Sequence, residues 1–126
     1  MPIAEMEKTQ RKYDVLVRAA LEKQKQHRET VRQKTLATVL DALAELAQQV
    51  PFQEAFLFGS LVRPYAFKAE SDVDIAFAQL SNEAFFFTSA FLSRRLGREV
   101  DVVQLEQAGR IRATILKEGI RWTKEI

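Results

Sequence analysis

The sequence predicts a small α/β domain, helices packed on a short sheet, preceded by an additional N-terminal helix. Three observations predict it. No Gly or Pro lies between Pro2 and Pro51, which favours helix throughout that stretch. After Pro51, short alternating runs rich in β-forming residues take turns with helical stretches. With 126 residues, 47% of them hydrophobic and 29% charged, the chain is the size of one domain and can bury a core without staples.

The elements follow in order. Met6, Tyr13, Leu16, Val17, Ala20 and Leu21 form one apolar block at 3-and-4 spacing. Leu36, Val39, Leu40, Leu43, Leu46, Ala47 and Val50 form a second. Between them, Glu22–Thr35 offers only Val31 as an apolar anchor. Thr30 and Gln33 fit a capping box, so a second helix is expected to start near Val31. One continuous helix remains an alternative to two joined near Gln26–Thr30. The expected division is a helical extension over residues 1–30 and a main domain over 31–126.

Phe52–Phe58 reads as a strand ending at Gly59-Ser60, and Leu61–Phe67 as a short helix or turn. Lys68-Ala69-Glu70-Ser71 is a loop. Asp72–Leu80 alternates and reads as a second strand. Ser81 or Asn82 caps a helix to about Leu96, with Gly97 as its stop. Glu99–Leu105 is a third strand and Gln107–Glu118 a last helix closed by Gly119. Ile120-Arg121-Trp122 form a short extended end, with Trp122 expected against that last helix. Phe85-Phe86-Phe87 cannot all face one core stripe, because three consecutive residues span about 200° of a helix. They suit a helix wedged between sheet and helix, or a partner interface.

Composition excludes much chemistry. There is no cysteine, hence no disulfide, thiolate zinc site or thiol nucleophile. The single histidine, His27, argues against a His-based metal site or Ser-His-Asp triad. The N-terminus carries acid where a signal peptide carries base, and apolar runs are too short for a membrane span. The expected location is therefore the cytoplasm, with no membrane partner. Net charge is only +2, although nine basic residues and three acids lie between Lys8 and Lys34. With Tyr13 as its only aromatic, that stretch reads as a solvated helix face rather than a nucleic-acid site.

Three features bear on chemistry: Gly59-Ser60 at a strand end, Asp72-x-Asp74 opening the next strand, and Asp101 in the third. Singly, each has a bland explanation as a turn or a solvated strand residue. Together they say more. Residues two apart on a strand face one side, roughly 6–7 Å apart, so Asp72 and Asp74 share a face. Val73, Ile75, Val100 and Val102 would hold the other face to the core. On a neighbouring strand Asp101 would complete a carboxylate cluster whose repulsion needs cations, and Mg²⁺ suits an all-oxygen site. Gly59 allows a phosphate close to the backbone, and Ser60 can donate to it.

Phe58-Gly59-Ser60-x-x-Arg63, Ser71-Asp72-x-Asp74-Ile75, Glu99-Val100-Asp101-Val102-Val103 and the closing Ile115-x-x-Glu118-Gly119-Ile120 resemble the DNA polymerase β-type nucleotidyltransferases. The likeness, over roughly residues 31–126, is closest to the minimal nucleotidyltransferases, often encoded beside a helical HEPN-domain protein. It implies a polymerase β-like fold with a small mixed sheet. It also implies transfer of a nucleoside monophosphate, AMP from ATP, with two Mg²⁺ held by Asp72, Asp74 and Asp101. Gly59, Ser60, Arg63 and Ser71 would bind the nucleotide. The implied acceptor is a hydroxyl, a Tyr of a HEPN-type toxin, which makes the chain an antitoxin. The family often has a basic residue after the Ser and a Gly after the Arg, where this chain has Leu61 and Pro64. Alternatives are a catalytically weak binding module that neutralises a helical partner, and an antibiotic-modifying nucleotidyltransferase. Residues 5–29 are also expected either to pack on another chain, a partner or a second copy, or to fold back on their own, since that thinly apolar segment cannot hold as a lone helix.

Overall fold

A computed structural model describes residues 2–124; residues 1, 125 and 126, at the outer ends of the expected division, lie outside the described residues. One helix, α1, runs unbroken from Ile3 to Ala47, about 68 Å at 1.5 Å per residue. The expected joint near Gln26–Thr30 is absent. Thr30 does not cap a helix; its hydroxyl donates to the Gln26 carbonyl at 3.1 Å. Thr35 and Thr38 bond back in the same way, at 2.7 and 3.0 Å, so these hydroxyls are satisfied inside the helix. With no Gly or Pro to break it, the polar stretch continues the helix. It does so straight through the expected 30/31 division. The segment before Arg28 stays exposed, Asp14 apart, and does not fold back. Pro51 follows soon after the helix ends and cannot extend it.

Beyond it come β1 (Glu54–Phe58), β2 (Val73–Ala78), α2 (Asn82–Leu96), β3 (Val100–Gln104), α3 (Arg112–Glu118) and β4 (Ile120–Thr123). The four strands form one mixed sheet in the order β3-β2-β1-β4. β1 pairs antiparallel with β2 and with β4, while β2 and β3 are parallel across the α2 crossover. Ser81 caps α2 by accepting the Ala84 N–H at 3.2 Å, and Gly97 ends it at φ +65°.

Strand parity sorts the core into two layers. Ala55, Leu57, Val73, Ile75, Phe77, Val100 and Val102 meet Val39, Leu43 and Leu46 of α1 and Leu92 of α2. Phe56, Ala76 and Ala78 face the other way, against Ile115 of α3 and Leu105. Each fully buried Leu, Ile or Val contributes roughly 1.5–3 kcal/mol, so the second half of α1 is integral to the domain. Phe85 and Phe91 join the first layer, while Phe86 is 80% exposed.

Two expectations fail here. The last helix does not start at Gln107: two short 3₁₀ turns, Leu105–Gln107 and Gly109–Ile111, precede α3, with Gly109 at φ +62° interrupting the helix. Trp122 packs not on α3 but on the opposite layer, its ring 5.5 Å from Phe52. Pairing of Ile120–Thr123 with β1 fixes its parity and turns its side chain to the α1 side. No helix among the described residues is long and apolar enough to cross a membrane.

Candidate active site

The antiparallel register sets Phe58 opposite Asp74, so the chain leaves β1 beside that carboxylate. Gly59 follows at φ +74° and opens a 3₁₀ turn over Gly59–Val62. The expected helix or turn over Leu61–Phe67 is present as the end of this 3₁₀ turn and a second turn, closed by the Ala66 N–H donating to the Arg63 carbonyl at 3.1 Å. A Cβ on Gly59 would collide with Asp74 Oδ2; glycine is required both for its dihedral and for that approach. The Arg63 N–H donates to the Ser60 carbonyl at 3.2 Å and closes the turn.

Parallel pairing of β2 and β3 sets Asp74 directly opposite Asp101, on strands about 4.8 Å apart. Val100 and Val102 lie in the α1-side core, and Val103 packs on the other side. Asp101 therefore shares the face of Asp74; Asp72 lies just before β2 rather than within the expected strand, near enough for its charge to act on Asp74. Burial, then the charges of Asp101 and Asp72, push the Asp74 carboxyl up from 3.8 to about 6. Asp72 and Asp101 both line an open depression of about 400 Å³, where Ser93 and a fourth acid, Glu99, join them. Gly59 and Arg63 line a smaller cleft of about 180 Å³ against Thr114, Ile115 and Glu118 of α3.

The donors suit a hard divalent cation in kind: carboxylate oxygens, one of them raised by burial and by neighbouring negative charge, both of which a cation offsets. Among the described residues, no three Asp, Glu or His side chains are gathered closely enough to hold an ion as they stand. Arg63 is exposed and reaches Glu118 at 3.7 Å. Ser71 is engaged in its own loop. Its hydroxyl oxygen accepts the Lys68 N–H at 2.9 Å and its carbonyl accepts from Arg98 at 2.8 Å.

Sequence reasoning missed Glu29 and Arg32, two buried charges on α1. They form an ion pair with each other. Arg32 Nη1 also donates to the Leu61 carbonyl at 3.0 Å, and Glu29 Oε2 accepts the Tyr65 N–H at 2.6 Å. The hydrogen bond from Arg32 holds the Glu29 carboxyl down at about 2, with the Tyr65 N–H adding to it against the opposing effect of burial. Both residues sit on a stretch that reads as polar helix; their three-residue spacing was the one available signal.

Residues 41–124 match the polymerase beta nucleotidyltransferase family. The chain belongs to that family. Among solved structures it is similar to a toxin–antitoxin protein crystallised with AMP-PNP, at 26% identity and TM-score 0.57, covering 68% of this chain and 74% of that one. A second likeness is to a mutant form of the toxin–antitoxin MntA-HpeT, at 27% identity and TM-score 0.51, over 64% and 67% of the two chains. A third is to a minimal nucleotidyltransferase, at 28% identity and TM-score 0.52, over 73% and 92%. No curated protein matches the chain. This nucleotidyltransferase thus has the small mixed sheet of its family with a long N-terminal helix, most of which precedes the matched residues.

Proposed function

We propose that this nucleotidyltransferase transfers AMP from ATP to a hydroxyl, a Tyr of a HEPN-type helical toxin, and acts as its antitoxin. The observation that carries the reading is the pairing of Asp74 with Asp101 on one sheet face, Asp72 beside them and Gly59 against the Asp74 carboxylate. The toxin–antitoxin character of two similar structures supports the choice of partner. The side chains of Met6, Tyr13, Leu16 and Leu21, more than half exposed on α1, offer that partner, or a second copy, a surface.

Asp72 and Asp74 would hold two Mg²⁺, and Asp101 one of them. Bound there, the ions would supply neutralisation of the triphosphate charge and acidification of the attacking hydroxyl. The backbone of the Gly59-Ser60 turn and the Ser60 hydroxyl bind the outer phosphates. Asp101 accepts the proton of the acceptor hydroxyl at a carboxylate oxygen. The deprotonated acceptor oxygen attacks the α-phosphorus in line, the bond to the bridging oxygen breaks, and pyrophosphate leaves. Arg63, released from Glu118, would stabilise the leaving charge. Ser71 acts through the loop it closes, which leads directly into Asp72.

A second reading, a binding module with weak catalysis, is favoured by the pairing of Arg63 with Glu118. One experiment separates the two. α-Labelled ATP is supplied to wild type and to Asp72→Asn/Asp74→Asn with a co-expressed helical partner, and the partner is weighed by mass spectrometry. Addition of AMP by wild type alone supports the enzyme. Equal neutralisation of the partner by both proteins, with no label transferred, supports the binding module.

A further inference from the structure

We propose that Glu29 and Arg32 are positioning residues: from α1, they set the turn that binds the outer phosphates of the nucleotide. This deepens the proposed function and rests on it. The pair lies outside the segment that matches the family, which begins at residue 41. It nevertheless grips the turn at two points, four residues apart. Arg32 fixes the Leu61 carbonyl, next to Ser60, and Glu29 fixes the Tyr65 amide, two residues beyond Arg63. The bonds span 29 and 36 residues of sequence.

The turn needs such a hold. Tyr65 sits at φ +63°, a left-handed conformation that crowds the Cβ of a non-glycine residue and persists where surroundings over-determine it. Lys25, one turn earlier on α1, lies 4.7 Å from the centre of the Tyr65 ring. Pro64 already stiffens the segment at φ near −65°. The turn is therefore not a flexible loop awaiting phosphate. It is pre-set, and Glu29 and Arg32 supply the setting from a different element. The ion pair is a costly way to achieve stability alone, since apolar residues of similar volume commonly do as well. What apolar residues cannot do is bond Leu61 O and Tyr65 N at once.

That difference supplies the test. Full-length wild type, Arg32→Met and the double variant Glu29→Leu/Arg32→Met are compared in melting temperature, in hydrogen exchange at residues 61–66, and in affinity for ATP and AMP with Mg²⁺. Arg32→Met leaves a buried carboxylate unpaired and melts lower. The double variant removes that charge and recovers most of the melting temperature. Its turn amides exchange faster. Its ATP affinity falls about tenfold while AMP affinity is unchanged, because only ATP carries the outer phosphates. A general loss of structure would weaken both nucleotides together. If the double variant keeps the wild-type preference for ATP over AMP, the pair is structural only and the proposal falls while the enzyme reading stands. If wild type binds ATP no better than AMP, both fall, whatever the exchange data show.

Discussion

Replacing Asp74 by Asn should make the metal-free protein more stable, by an amount that depends on pH. Burial first, and then the charges of Asp101 and Asp72, hold the Asp74 carboxyl at about 6 instead of 3.8. Each pKa unit is about 1.4 kcal/mol, so its ionisation costs the folded state at most about 3 kcal/mol. The side chain is only part-buried, and solvent screening reduces this to about 1 kcal/mol. For 126 residues that is about 4 °C in melting temperature. The sign follows from proton counts. Between about pH 4 and 6 the folded state holds more protons at this site than the unfolded chain, so wild-type stability falls as pH rises through that window. Above 6 the full cost is present; below 4 it is gone. Scanning calorimetry in EDTA should therefore show Asp74→Asn melting higher than wild type at pH 7.5 and level with it at pH 4. Mg²⁺ should raise the wild type and leave the variant unmoved. A gain that is the same at both pH values would refute the electrostatic argument, since it would come from packing. No gain at pH 7.5 would refute the cost of ionising Asp74 where burial and its acidic neighbours place it.

Two further outcomes are expected. Gly59→Ala should cost roughly 1–2 kcal/mol in chemical denaturation from its positive φ, and should lose nucleotide affinity because the new methyl displaces the Asp74 carboxylate. Deleting residues 1–24 should leave the melting temperature within about a degree, whereas deleting residues 1–32 also takes Val31 off the first core layer and uncovers what that part of α1 packs on, and should lower it by several degrees, at about 4 °C per kcal/mol; equal melting of the two truncations would place the domain boundary after Arg32.

Much of the architecture is local and can be read from residue order. Alternation marks β2, although the strand starts at Val73 and leaves Asp72 just outside it, and Ser81 and Gly97 mark the ends of α2. Each depends on interactions within a few residues. The absence of Gly and Pro between Pro2 and Pro51 likewise settles helix, although a capping box at Thr30 points to a joint that backbone continuity overrides. Where strands and helices meet is another matter. That Asp101 stands opposite Asp74, that Ile120–Thr123 closes the sheet on β1 and turns Trp122 towards α1, and that Gly59 abuts the Asp74 carboxylate are consequences of register. Register is decided by the whole buried pattern at once. Glu29 is the clearest case: along the chain it is one acid in a basic, solvated stretch. Only α1 lying over the turn, 36 residues away in sequence, strips it of water and commits it to Arg32 and Tyr65. Desolvation of a charge is a property of what surrounds it in space, and the order of residues within one helix does not contain it.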